Sequence, residues 1–266
     1  MRELNASDDK EHFLFGISPD GLWPVYKGES FDIWQPETGT VYAYADPTHI
    51  SEVLQARRAN QIRIKRSALY GQSREWADDP DTLPARHPRI AWRDSSRATD
   101  SRTVRVALIP PDTILVHQAY TLFWRQGGPQ EEAYALGVMC SIPFDWFARQ
   151  LVESHVTVEL INSSPIPDRV REDPVRRRVE EIAGRLAAVD RRYQSWAKAV
   201  GVPVGSVKAA ENDDLVAELD AAVALLYGLD ESDLRHLFET FHVGWRYEGR
   251  LDAALGHFRR LTKETR

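Results

Sequence analysis

Up to about Ile161 the apolar residues come in short runs punctuated by Gly, Pro and Asp, and beyond Pro174 they settle into a helical period. His12–Ile17 and Leu22–Tyr26 alternate as short strands about the turn Ser18-Pro19-Asp20-Gly21. Lys27-Gly28-Glu29 makes a tight connection to Phe31-Asp32-Ile33-Trp34, and Pro36-Glu37-Thr38-Gly39 turns the chain into a strand over Thr40–Ala45. Pro47–Gly71 predicts a helix, loosely periodic at Ile50, Val53, Leu54, Ile62, Ile64 and Leu69, with a basic polar side. Ser73–Pro88, acidic and then Pro-rich, predicts an irregular loop. Ile90-Ala91-Trp92 ends a strand. Val104–Pro110 and Thr113–Val116 give two more, divided at Pro110-Pro111-Asp112 because Pro cannot donate to a ladder.

After the breaker Gly127-Gly128-Pro129, Glu131–Met139 is an apolar helix with acids in its first turn, where the macrodipole favours them. Ser141 caps a second short helix through Phe144, Trp146, Phe147 and Leu151. His155–Ile161 alternates as a buried strand and leaves through Ser163-Ser164-Pro165-Ile166-Pro167. Val175–Val200 predicts one long amphipathic helix, with Val175, Val179, Ile182, Leu186, Val189 and Tyr193 near helical spacing. Gly201–Gly205 is a linker. Asp214–Tyr227, stopped by Gly228, and then Ser232–Phe241 and Leu251–Leu261 complete the helices. The expected fold is therefore α+β: a mixed sheet with helices over residues 1–168, then a helical subdomain over residues 174–266, with the boundary at Asp168–Asp173.

At 266 residues the chain is long enough for one large domain or two small ones. Its 42% hydrophobic and 28% charged content is that of a globular protein rather than a disordered one. The single cysteine, Cys140, rules out an internal disulfide framework or a multi-thiolate metal site and suits a reducing cytoplasm. Met1–Lys10 is too polar for a signal peptide, and uncharged stretches such as Ala133–Phe144 are too short to span a bilayer. Net charge is −6, which opposes a freestanding polyanion binder. The charge is uneven, however. Arg57–Arg105 holds twelve basic residues against six acidic ones, so the remainder carries −12.

At the centre of that basic window lies Arg93-Asp94-Ser95-Ser96-Arg97-Ala98-Thr99-Asp100-Ser101-Arg102-Thr103, a charged and hydroxylic loop between apolar strands. Guanidinium forks, hydroxyls and backbone amides are the groups that hold phosphate oxygens. A solvated hairpin loop with internal Arg–Asp pairs has the same composition. The basic segment before it, with Arg63, Lys65 and Arg66, reads either as a surface lying on phosphates or as a solvated helix face.

Arg93-Asp94, Arg97, Thr99 and Arg102-Thr103 resemble the arginine–aspartate and threonine–arginine signature in the specificity half of large adenine-specific DNA methyltransferases. These are the fused type IIG restriction–modification enzymes and the phage-defence methylases of the BREX and DISARM type. The resemblance runs in order from Phe13 to Phe258. It includes Tyr26-Lys27-Gly28, Leu136-Gly137-Val138-Met139-Cys140-Ser141, Phe144-Asp145-Trp146, Asn162-Ser163-Ser164-Pro165-Ile166-Pro167 and Leu226-Tyr227-Gly228-Leu229. It implies a bacterial, cytoplasmic DNA target-recognition domain acting on double-stranded DNA. Its partner would be a methyltransferase catalytic domain or subunit that holds S-adenosylmethionine and flips the adenine. The candidate DNA-binding residues are Arg93, Arg97, Thr99, Arg102, Thr103, Lys27, Arg63, Lys65 and Arg66. The motif arginines would hold phosphate or scaffold, and the base readers would lie within Arg57–Arg86. The family usually has asparagine where Cys140 stands.

The catalytic motifs themselves are absent. The only Pro-Pro, Pro110-Pro111, lies between Ile109 and Asp112, so there is no Asn/Asp-Pro-Pro-Tyr/Phe clamp for a flipped amine. No Gly-rich strand-to-helix turn suits S-adenosylmethionine, and no P-loop or nuclease set is present. Gly16–Gly21 is no nucleophile elbow. The eight histidines are scattered. His236 and His242, six apart, fall on different helix faces, and His155 reads as structural. Trp92, Trp124 and Trp146 read as core. The chain is thus expected to carry no catalytic residues, no metal and no cofactor, and not to be an enzyme by itself. The rival reading is a protein–protein interaction module, in which the acidic helical half docks a methyltransferase or defence-complex partner and the arginines pair internally with Asp94 and Asp100.

Overall fold

The computed structural model describes residues 3–16, 20–97, 99–124 and 126–265. Ile17, the first half of the predicted Ser18-Pro19 turn and Ala98 of the central motif lie outside the described residues. The fold is α+β, with two small three-stranded sheets and a helical C-terminal part. The chain divides into two compact units, Met1–Asp94 with Ala107–Arg125, and Ser95–Val106 with Gln126–Arg266. The compositional change at Pro174 lies inside the second unit.

The first unit contains β1 (Trp23–Tyr26), β2 (Ala43–Ala45), helices α1 (Pro47–Gln61) and α2 (Arg74–Asp78), and β3 (Arg89–Arg93), β4 (Val106–Ile109), β5 (Ile114–Leu115) and β6 (Ala119–Thr121). One sheet runs β2-β1-β5, antiparallel on one side and parallel on the other, with Trp23 opposite Ala45 and Val25 opposite Ile114. The other runs β4-β3-β6, with Ala91 opposite Thr121. Leu4, Phe13, Val25, Ile50, Leu83 and Ile114 form one core cluster; Tyr26, Phe31, Ala91, Ile109 and Leu115 form another. Over the described part of the predicted His12–Ile17 strand there is instead a 3-10 turn at Lys10–His12 and a single bridge from Leu14 to Tyr44.

The Asp46 carboxylate caps α1 by accepting the His49 N–H at 2.8 Å, and Pro47 takes the first position, where no donor is needed. The helix ends at Gln61, not at Gly71. Ile62 and Ile64 would lie about 200° apart on a helix and share no face. The chain instead turns back, and the Gly71 N–H reaches the Ile62 carbonyl at 3.1 Å. Gly71, at φ +83°, adopts the left-handed conformation that this reversal needs. Ser73–Pro88 is more ordered than its composition predicts: Ser73 caps α2, and two 3-10 turns follow at Pro80–Thr82 and Pro84–Arg86. Arg58 fastens this stretch, donating to the carbonyls of Ala77 (2.8 Å) and Asp79 (2.5 Å) and to Thr82 Oγ1 (2.8 Å).

The second unit holds α3 (Pro129–Cys140), α4 (Ile142–Leu151), α5 (Val158–Ser163), α6 (Pro174–Ala187), α7 (Gln194–Val200), α8 (Ala209–Leu226), α9 (Glu231–Phe241) and α10 (Glu248–Glu264). The expected Ser141 cap is present, its hydroxyl accepting the Phe144 N–H. Helix α3 packs on α6 and α7, α8 on α6 and α10, and α4 on α9. A Cβ on Gly137 would lie 2.7 Å from Val179 Cγ1 and 3.3 Å from Leu219 Cδ1, so glycine sets the close approach of α3 to its neighbours.

Two predicted elements of this unit are corrected. His155–Ile161 is not a strand: the Thr157 hydroxyl accepts the Leu160 N–H and starts α5, and the Ser164 hydroxyl donates back to the Leu160 carbonyl. A local cap therefore outweighs the alternation. Val175–Val200 is two helices, because Asp190 caps a 3-10 turn over Arg191–Tyr193 that restarts the chain as α7. Tyr193, Trp196 and Ala197 are buried beyond that break. Among the described residues no helix is long and apolar enough to cross a membrane.

Candidate nucleic-acid interface

The two ends of the central motif belong to different compact units, and each is tied down within its own. In the first unit Arg93 leaves the end of β3 and donates through Nε to the Phe31 carbonyl at 2.8 Å; its Nη2 also reaches that carbonyl and lies 3.4 Å from Asp32 Oδ2. Gly28 makes room for it. A Cβ there would sit 2.8 Å from the Gln118 carbonyl oxygen and 3.4 Å from Arg93 Cγ. The glycine of Tyr26-Lys27-Gly28 thus packs against Arg93. Tyr26 Oη donates to Glu37 at 2.5 Å, and Lys27 Nζ stands 3.6 Å above the Tyr42 ring.

In the second unit Asp145, in the first turn of α4, is wholly buried. It accepts from Arg102 Nε at 2.5 Å, from the Thr103 N–H at 3.1 Å and from the Val104 N–H at 3.0 Å. The same guanidinium donates to the carbonyls of Cys140 (2.7 Å) and Ser141 (3.3 Å), at the junction of α3 and α4. Burial pulls the Arg102 pKa down, but the charge and hydrogen bond of Asp145, with Asp220 farther off, outweigh it and leave the pKa raised. Arg149 completes the clamp, donating to the carbonyls of Asp100 (2.6 Å) and Phe241 (2.8 Å) with its guanidinium 4.2 Å over the Phe241 ring. Because a backbone carbonyl receives Arg102, the side chain at position 140 need not be polar. Cys140 Sγ makes a weak contact to the Val106 carbonyl at 3.7 Å.

Arg102 and Thr103 therefore face inward: Thr103 has no exposed surface, and Arg102 spends its fork on protein acceptors. Arg102 pairs with Asp145 rather than with Asp100, Arg93 has Asp32 within 3.4 Å, and the Asp100 side chain accepts the Arg97 N–H at 3.0 Å. Arg97 and Thr99 are exposed.

Arg63, Lys65 and Arg66 occupy the tip of the loop that follows α1, and all three are exposed. Elsewhere in the first unit each described cation has a carboxylate, carbonyl or aromatic partner. Arg57 pairs with Asp9, Arg74 with Asp78 and Arg89 with Glu3, while Lys10 and Arg86 lie over Phe15 and Trp23. Among the described residues the three tip cations have none. No acid occurs between Glu52 and Glu75 to supply one.

Chemistry other than binding has little material. Among the described residues no three His, Cys, Asp or Glu side chains gather as a metal site. An open depression of about 500 Å³ is lined by residues of the 151–163 stretch, including Glu153, His155 and Glu159. Among the described residues no side-chain hydrogen bond links these three into a base–nucleophile pair. His236 stands edge-on to Trp146, and His242 Nδ1 lies 3.4 Å from Arg149. Of the tryptophans read as core, Trp92 is buried against Tyr120, but Trp124 is 36% exposed.

Sequence reading named Asp145 only within Phe144-Asp145-Trp146, with no role as an acceptor, and passed over Asp220. Asp145 lies in an apolar run beside Trp146, and Asp220 lies in the apolar half of α8, where it receives Arg250 Nε at 2.7 Å and the Ile142 N–H at 2.8 Å. A lone acid within an apolar helical stretch was the available signal. No protein-family model and no curated protein matches the chain.

Proposed function

We propose that this chain is the double-stranded DNA recognition part of a bacterial adenine methyltransferase of a restriction–modification or phage-defence system. The catalytic half, with its S-adenosylmethionine, would be supplied by another chain or another stretch of polypeptide. The observation that carries the reading is the acid-free tip Arg63-Ile64-Lys65-Arg66, whose three cations are left without an internal partner among the described residues of the first unit. Charge-neutralising contacts to phosphate are the sequence-independent part of duplex binding. The ordered motif set from Phe13 to Phe258 supports the methyltransferase context. The motif arginines Arg93 and Arg102 enter this reading as scaffold, and Arg97 and Thr99 as the motif's solvent-facing members. Cytoplasmic location belongs to the same proposal.

The test incubates the purified chain with labelled S-adenosylmethionine and mixed-sequence duplex, then repeats the assay with a catalytic partner. The chain alone is expected to transfer no methyl group and to bind duplex no tighter than about 10⁻⁶ M near physiological salt. Both abilities should appear with the partner. Methyl transfer by the chain alone would overturn the reading. The inward commitment of Arg93 and Arg102 favours a second reading, an interaction module docking a methyltransferase or defence-complex partner without DNA contact. That reading requires the partner to bind the chain equally well without duplex, and the chain to show no salt-dependent DNA affinity.

A further inference from the structure

Ile64 is 45% exposed between two exposed cations, and Tyr70, on the same loop, is 39% exposed. Neither is needed for packing, because the loop is anchored by other residues. Ile62 and Leu69 are buried with Ala77, and Trp76 and Phe123 pack against them. The backbone is closed by its own hydrogen bonds: Ser67 N–H to the Ile64 carbonyl at 2.9 Å, Tyr70 N–H to Ser67 at 3.1 Å, and Gly71 N–H to Ile62 at 3.1 Å. The Ser67 hydroxyl accepts the Leu69 N–H at 3.1 Å. The tip is thus a pre-formed projection that displays one aliphatic side chain among cations, and a ligand meeting it has little ordering entropy to overcome.

We propose that this tip enters the major groove of duplex DNA, with Arg63, Lys65 and Arg66 on phosphates and Ile64 against thymine methyl groups. The inference rests on the DNA-recognition reading above and adds to it the element that touches base edges. Cations fix position on the duplex without reading sequence, whereas an aliphatic contact to the thymine C5-methyl discriminates among base pairs. The other surface suited to cations with an apolar residue is an anionic membrane. Membrane association needs a broad apolar face, and the tip offers a single aliphatic side chain with one tyrosine.

The experiment measures binding of the full chain to mixed-sequence duplex by fluorescence anisotropy from roughly 50 mM salt upward, where backbone contacts dominate. Wild type, the triple variant R63A/K65A/R66A and Ile64→Ala are compared, each on thymidine-containing duplex and on the same duplex with deoxyuridine, which lacks the methyl. All the substitutions are at exposed positions, so thermal stability should stay at the wild-type value and serves as the folding control. The triple variant should lower the magnitude of the log–log salt slope by about 2.7, at roughly 0.9 per phosphate. Deoxyuridine should weaken wild-type binding by up to about fourfold, the equivalent of one buried methyl, and should leave Ile64→Ala unaffected. No duplex binding by wild type at any salt would remove the recognition reading and this inference together. Wild-type binding with an unchanged slope in the triple variant would remove this inference alone. A reduced slope without a deoxyuridine effect would overturn the groove contact. Tighter binding to vesicles of anionic lipid than to duplex would overturn the choice of ligand.

Discussion

Replacing Arg102 with alanine separates a scaffold role from a phosphate-holding one. Asp145 has no exposed surface, and among the described residues Arg102 supplies its one cationic hydrogen bond, with the N–H groups of Thr103 and Val104 completing the shell. Arg102→Ala leaves a buried carboxylate without its hydrogen-bonded counter-charge, and breaking such a pair from one side costs about 3–5 kcal/mol. It also strips a donor from the carbonyls of Cys140 and Ser141. For a unit of this size each kcal/mol moves the midpoint by about 2–4 °C, so Tm should fall by roughly 6–20 °C. Asp145→Asn should destabilise less than Arg102→Ala, because an amide oxygen still accepts from the backbone. The double variant R102M/D145N should be less unstable than the sum of its parts, since the two groups share one interaction. Thermal and urea unfolding measure these terms, and anisotropy at temperatures where each variant is folded measures DNA affinity. The expected result is a large fall in Tm with duplex affinity and salt slope unchanged. A Tm within about 2 °C of wild type, together with tenfold weaker duplex binding, would refute the scaffold assignment.

Three other outcomes follow from the packing and the ion pairs. Gly137→Ala should destabilise the second unit by about 1–3 kcal/mol through overpacking, since the new Cβ would sit 2.7 Å from Val179 Cγ1; urea midpoints check this. Glu218 is buried, and although burial raises its pKa, hydrogen bonds and charge from Arg178 and Arg260 hold it below the ordinary carboxylate value. A depressed folded pKa contributes stability above the unfolded value of about 4.3, and this is lost as pH falls through the folded value, so Glu218→Gln should flatten the acid limb of Tm measured from about pH 7 to pH 3. Limited proteolysis should cut the exposed exit at 165–173, where Val170 is 70% exposed, yet the nicked pieces should co-elute on size exclusion because α3 packs on α6 and α7 and Glu132 accepts the Trp196 Nε1–H at 2.8 Å; separation of the pieces would contradict that packing.

The elements legible in the sequence were those whose ends are written in local chemistry. Gly128-Pro129 opens α3, the Ser141 hydroxyl opens α4, Asp230 caps α9, and Gly228 follows α8. Each boundary is decided by residues within a few positions of it. The misread elements were decided by contacts that no window contains, or by a cap that outweighed a period. Helix α1 stops early because Ile62 and Leu69 are buried together with Ala77, near Phe123, in a cluster that the sequence does not announce. The α6–α7 break was legible in principle, since Asp190 is a cap residue in the middle of the apolar period, but periodicity alone ran straight through it.

The same distinction explains why the charged motif was easy to find and hard to interpret. Sequence gives an arginine its neighbours but not its acceptor. Arg93 ends on a carbonyl 62 positions upstream, and Arg102 on a carboxylate 43 positions downstream. Asp100, the acid nearest to Arg102 along the chain, was the natural partner on paper, yet the folded chain brings that guanidinium to Asp145. Absence is more legible than presence in this respect. Between Glu52 and Glu75 there is no acid, so a cation there must find its counter-charge in a distant segment or remain without one. Arg58 finds distant carbonyls and Arg57 finds Asp9, and both lie in α1, which packs on the sheet. Arg63, Lys65 and Arg66 lie beyond the helix end, on a loop held by its own hydrogen bonds, where no other described segment brings a carboxylate to them. Unpaired charge held on a closed loop is not required by the fold, which places the search for a ligand there rather than at Arg93 and Arg102, which are already satisfied.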